Sequence, residues 1–190
     1  MPYIFCETAF AGFGIEFKPV TAWDLLILRK WRNSLEINKQ MLDQTHINSR
    51  SQIRWFESIS NCDDQAHWVV WCKGQRTGHV NIRSNGSLAE NKPVHGGYYI
   101  VNSSVRHPLL GIATILLYHD IIFNKIKASH IMDNVLSANK TARELNSLMG
   151  YEELDEHEGV IKIILKSSDY RTACMKFHRY FKDFRCQQIF

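Results

Sequence analysis

The sequence predicts a single α/β domain, and three observations carry that prediction. Its 190 residues, 45% hydrophobic and 22% charged, suffice for one substantial core but not for two. Runs that alternate apolar and polar residues mark strands, while other segments repeat apolar residues at helical spacing. The two kinds are interleaved, with a strand, a polar loop and a helix following one another around Gly97 to Phe123.

The elements follow in order. Phe13 to Val20 alternates as a strand, with Phe13, Ile15 and Phe17 on one face and Pro19 closing it. Thr21 is placed to cap a helix that runs to Trp31, with Asp24 in the first turn, where the helix dipole favours an acid. A polar segment, Ser34 to Arg50, separates it from a second helix, Ser51 to Ile59, whose Ile53, Phe56 and Ile59 share a face. His67 to Cys72 and Gly78 to Arg83 read as a hairpin around Lys73-Gly74-Gln75-Arg76, and Gly97 to Val101 as a third strand. Gly111 to Phe123 has helical period, Ile131 to Leu136 is a short strand, and Lys140 to Met149 is a helix stopped by Gly150. Val160 to Leu165 and Ala173 to Tyr180 read as closing strands, and Glu152 to Glu158 as an acidic, low-complexity run.

Composition excludes several classes. No stretch approaches the ~18 consecutive apolar residues of a membrane span, and Met1 to Phe10 lacks the pattern of a secretory leader, so a cytoplasmic address is expected. Cys6, Cys62, Cys72, Cys174 and Cys186 are odd in number and widely spaced, which suits neither a disulfide framework nor a nucleophile paired with histidine. The nine histidines lack metal-ligand spacing, so no metal is expected. A net charge of +4 favours anionic ligands, yet the basic residues are scattered and nucleic acid is not expected.

Two segments carry chemistry. In Ser104-Val-Arg-His-Pro-Leu-Leu-Gly-Ile-Ala-Thr114, Gly111 and Ala113 keep the first helical turn free of bulk, so its amides can close on an anion such as a pyrophosphate. An ordinary helix start with small residues reads the same way. The second segment, Asn139 to Tyr151, follows the pattern N-x-x-A-x-x-L-x-x-x-x-G-Y; Asn139 can cap the helix while its amide reaches a cofactor, and Ala142 permits close packing.

These motifs, in this order and about 25 to 30 residues apart, resemble those of the GCN5-related N-acetyltransferases, the GNAT superfamily. The stretches Leu28-Arg-Lys-Trp31-Arg32-Asn33, Met41 and Ile53-Arg-Trp55-Phe56 are similar to the branch that holds ribosomal-protein N-terminal acetyltransferases and PseH-type aminosugar enzymes. The resemblance implies an α/β (α+β) fold with a central mixed, mostly antiparallel sheet flanked by helices and a strand-loop-helix pyrophosphate site. It implies acetyl-CoA as co-substrate, transfer to a primary amine, and as acceptor the amino group of a nucleotide-linked sugar. A ribosomal-type protein acetyltransferase and a non-catalytic acyl-CoA-binding module are the alternatives, and a homodimer is compatible with all three.

The site residues implied are the amides of Gly111, Ile112, Ala113 and Thr114 for pyrophosphate, Ile100 and Val101 for the pantetheine arm, and Asn139. Arg32, Gln52, Tyr98 and Tyr99 stand on the acceptor side, where Arg32 equally reads as a capping or pairing residue and Gln52 replaces the histidine of aminosugar members. Pro108 stands where the family carries Arg or Gln. The family's proton-accepting Glu and proton-donating Tyr fall on Asn134 and Asn146, amides that do neither job. Water, Asp133 or His95 remain as bases; Asp133 points away from Asn134 on the same strand, and both candidates also read as surface groups.

Overall fold

The computed structural model describes residues 5–60, 62–101, 109–177 and 180–181, and the backbone of 187–189. The strands β1 (Ala9–Gly12), β2 (Ile15–Pro19), β3 (Gln65–Cys72), β4 (Gln75–Ser84), β5 (Val94–Ile100), β6 (His130–Leu136), β7 (Glu152–His157), β8 (Val160–Lys166) and β9 (Gln187–Ile189) form one sheet. Its order is β7-β8-β6-β5-β4-β3-β2-β1-β9. Each described pairing is antiparallel except β5 with β6, which run parallel and share the single register pair Val94↔Ile131. The helices are α1 (Leu25–Arg32), α2 (Leu35–Asn38), α3 (Ser49–Ile59), α4 (Leu110–Asp120), α5 (Lys140–Leu148) and α6 (Ser167–Met175).

The helix α4 is the centre of the core. Ala113 through His119 are all buried, against Trp68, Val70, Val80 and Ile82 of the sheet. Each of its enclosed leucines and isoleucines contributes about 1.5–3 kcal/mol of burial, which explains a helix apolar on every side. It continues into a π-helical turn, Ile121–Ile126, ended by Lys127 at φ 60. The other face of the sheet carries α1 and α3. There the inward residues of α3 are Gln52, Trp55, Phe56 and Ile59, and Ile53 points to solvent, a correction to the apolar face read from the sequence. Asp24, buried at the entry to α1, accepts from Thr21 N–H at 2.9 Å and pairs with Arg76 Nε at 2.7 Å, tying that entry to β4.

Other corrections concern the ends of the sheet. The strand expected from Phe13 to Val20 begins inside a turn: Phe13 and Gly14 take φ 55 and 78, and β1 and β2 fold as a hairpin across them. The acidic run is the edge strand β7, exposed throughout and held by its ladder to β8. The strand expected from Ala173 to Tyr180 is occupied by α6 at its start, where Tyr170, Ala173, Cys174 and Phe177 turn inward at i, i+3, i+4 and i+7. Among the described residues, no helix is long and apolar enough to cross a membrane.

Candidate active site

The site arises where two parallel strands part. Beyond Val94 and Ile131 the ladder between β5 and β6 stops, and the strands diverge. At the crotch, Gly96 N–H donates to Asp133 Oδ1 at 2.8 Å, so a side chain replaces the next rung. Glycine is needed there: a Cβ on Gly96 would run into the Asn81 carbonyl oxygen and the Tyr118 hydroxyl. Alternation then fixes the amides above it. Val101 N–H donates to Thr77 O at 2.9 Å across β4, so the amides of Tyr98 and Ile100 face the gap. A cavity of about 750 Å³ runs through this gap, from the α1–α3 side to the α4–α5 side.

On the α4 side the first helical turn opens on the cavity at Gly111, where an added Cβ would meet nothing within 4 Å among the described residues. Sequence reasoning placed the anion on the amides of Gly111 to Thr114, and the geometry shifts that set. Ala113 N–H already donates to Leu109 O at 2.7 Å, and Thr114 is fully buried with its hydroxyl on Leu110 O at 2.8 Å. The amides without a helical acceptor are those of Leu110, Gly111 and Ile112. Val101 likewise turns its amide to β4, leaving Ile100 as the strand residue of the pair that faces the gap. The segment Ser104 to Pro108 lies outside the described residues. Asn139 lines the cavity and caps α5, its Oδ1 accepting from Ala142 N–H at 3.2 Å.

The acid/base candidates separate clearly. Asp133 is enclosed at the crotch, and burial pushes its carboxyl up to about 7, against the pull of the Gly96 amide and the Arg83 charge. It is no surface aspartate. Asn134 is exposed at the cavity edge, Asn146 is half-buried within it, and His95 does not line it. Three residues that sequence reasoning missed complete this region. Tyr118 donates its hydroxyl to Asn81 O at 3.2 Å, and Tyr151 meets His119 Nε2 at 3.0 Å. Burial raises both phenols well above their usual range and lowers His119 to about 3, so all three are neutral.

Arg32, Gln52 and Tyr99 line the α1–α3 side. Arg32 Nη2 donates to Asp43 O at 2.6 Å, while Nη1 is buried with no hydrogen-bond partner among the described residues. Tyr98 and Tyr99, both expected on the acceptor side, point to opposite faces, a correction for Tyr98: Tyr98 packs on Tyr118 at 6.2 Å and Tyr99 on His79 at 5.6 Å. His67 and His79, which were also missed, meet Trp55 there. The hairpin at Lys73-Gly74 sets Val69 opposite His79 and His67 opposite Asn81, which brings the two imidazoles together diagonally. That signal was available only once the register was known.

No protein-family model matches this chain, and no curated protein matches it. Solved structures do. The apo form of FdhC, a nucleotide-linked sugar GNAT, superposes with a TM-score of 0.74 at 17% identity, over 90% of this chain and 96% of that one. A spermidine N-acetyltransferase from Vibrio cholerae, in complex with CoA and spermine, gives 0.72 at 14% identity, over 83% and 98%. The Campylobacter jejuni N-acetyltransferase PseH gives 0.60 at 14%, over 85% and 99%, and PseH is also known in complex with acetyl coenzyme A. The fold of this chain is therefore the GNAT fold, a mixed sheet flanked by helices, as its motifs led one to expect.

Proposed function

We propose that this protein is an acetyl-CoA-dependent N-acetyltransferase whose acceptor is the amino group of a nucleotide-linked sugar. The observation that carries the reading is the continuous cavity through the β5–β6 gap, with an enclosed carboxylate at its apex and gap-facing strand amides beside it. Likeness to FdhC, a nucleotide-linked sugar GNAT, supports the sugar acceptor.

In this reading the amides of Leu110, Gly111 and Ile112 hold the pyrophosphate of acetyl-CoA, and Ile100 and Asn139 flank its pantetheine arm. The acceptor amine enters from the α1–α3 side. Asp133 takes the amine's proton, directly or through one water, as its nitrogen bonds to the thioester carbon. The Tyr98 amide receives the negative charge that develops on the carbonyl oxygen, and the carbon–sulfur bond then breaks to release CoA. A carboxyl poised near 7 suits this work at neutral pH, which the amides at positions 134 and 146 cannot do.

The charge of the acceptor arm favours an anionic acceptor over a polyamine. Arg32 presents a buried guanidinium nitrogen with no hydrogen-bond partner among the described residues; the Asp43 carboxyl on the same cavity wall feels its charge but forms no salt bridge with it. A sugar phosphate can accept a charge-assisted hydrogen bond from that nitrogen, whereas a polycation offers it no acceptor. The test is a parallel assay of free thiol release from acetyl-CoA with UDP-linked 4-amino sugars, dTDP-linked amino sugars, spermidine and N-terminal ribosomal peptides. Preferential acetylation of a sugar nucleotide is the expected outcome. Preference for the peptides rejects the sugar reading, and tight acetyl-CoA binding with no transfer to any amine rejects catalysis.

A further inference from the structure

Under α3, three side chains form a hydrogen-bonded chain that ends at the cavity. His67 Nε2 lies 3.1 Å from Gln65 Oε1, and His67 Nδ1 lies 3.3 Å from His79 Nε2. An amide oxygen only accepts, so His67 carries its proton on Nε2 and its Nδ1 is bare. A bare nitrogen also only accepts, so His79 donates from Nε2. For two neutral rings this leaves one arrangement, in which His79 Nδ1 is the uncommitted lone pair of a residue that lines the cavity.

The surroundings hold the rings in place. Trp55 meets both edge-on, at 5.3 and 6.1 Å, and Tyr99 flanks His79. Both rings are buried, which lowers His67 to about 4 and His79 well below its usual range, with His67 and the Arg32 charge adding to the effect on His79. Nor can His79 pass a proton inward, since His67 already donates to an amide that takes none. His79 therefore acts as a hydrogen-bond acceptor and not as a base.

We propose that Gln65 and His67 lock His79 in the Nε2–H tautomer, so that Nδ1 selects acceptors directing an O–H or N–H donor at it while Arg32 binds their anionic group. Gln65 and His67 are positioning residues, and His79 is a specificity-determining one. The selection part rests on the acetyltransferase reading; the tautomer lock does not.

Two-bond proton–nitrogen correlation spectra of the full chain at pH 7 read the tautomers directly. Among the signals of the nine histidines, those of His67 and His79 are assigned by their loss in His67→Phe and His79→Phe. Both rings are expected with Nε2 protonated, and Gln65→Leu should turn His79 into a tautomer mixture. In kinetics with a UDP-linked 4-amino sugar, His79→Phe keeps the ring contacts and should raise the sugar KM roughly tenfold, without changing the KM for acetyl-CoA. Gln65→Leu, at the half-buried start of β3, should raise the same KM by less and serves if His79→Phe does not fold. His79 found as the Nδ1–H form or as imidazolium at pH 7 overturns the lock. An unchanged sugar KM in both variants overturns the selection. Refusal of every sugar nucleotide, with both rings in the Nε2–H form, sinks the acceptor assignment and leaves the lock standing.

Discussion

Replacing Asp133 by Asn separates chemistry from stability. The carboxyl sits at about 7 in the fold against an ordinary 3.8, chiefly because burial penalises its charge. A raised acid binds its proton more tightly folded than unfolded, so its stabilising effect is full below 3.8 and is lost as pH rises toward 7. Above that, the native protein carries a buried charge at a cost of at most ~4 kcal/mol, nearer ~2 once water reaches the open cavity. Asp133→Asn removes this cost while keeping an oxygen for the Gly96 amide. The variant should therefore match the wild type in stability near pH 4 and exceed it at pH 8, with Tm higher by several degrees at the ~2–4 °C per kcal/mol usual for this size. Activity should move the other way. Wild-type kcat/KM should fall as pH drops through about 7, and the variant should lose about 10²–10⁴ in turnover together with that inflection. Thermal melts at the two pH values and a pH–rate profile from 5.5 to 9 measure both. An Asp133→Asn enzyme within tenfold of the wild type, or retaining the inflection near 7, would refute the assignment of the base.

Gly111→Val should leave the melting curve near that of the wild type, since an added Cβ there meets no atom of the described residues, but should abolish acetyl-CoA binding measured by calorimetry. Unchanged affinity would remove the α4 N-terminus from the cofactor site. Gly96→Ala should destabilise the fold by about 1–3 kcal/mol, because its Cβ has no room beside Asn81 and Tyr118; urea unfolding reads the loss, and a neutral substitution contradicts the crotch geometry. Asn146→Ala should cost no more than about tenfold in kcat, the worth of one neutral hydrogen bond, and a loss of thousands would make Asn146 a participant in proton transfer.

Several elements, and the helix starts beside Gly111 and Asn139, were legible locally. The hairpin turn at Lys73-Gly74-Gln75-Arg76 located β3 and β4, the spacing of Ile112, Ile115, Leu116 and Ile122 located α4, and Asn139 and Gly150 bounded α5 where their capping chemistry required. The edge strand β7 was not legible, because its six exposed residues carry no apolar alternation and depend on β8 for their form. Nor was α6, whose helical spacing was hidden in a segment that also resembles a strand.

The candidate site divides the same way. Sequence by itself determined what each segment could offer: small residues at a helix start, an asparagine cap, an arginine and paired tyrosines. Tertiary structure decided which of these face one another. Strand alternation sent Tyr98 and Tyr99 to opposite sides, hairpin register joined His67 to His79, and helical hydrogen bonding withdrew the Ala113 amide. Above all, only the parting of β5 from β6 made Asp133 an enclosed carboxyl. A side chain's acidity depends on what surrounds it in space: at position 133 burial in the gap raises it, against the opposing pull of Gly96 and Arg83, about 40–50 residues away along the chain.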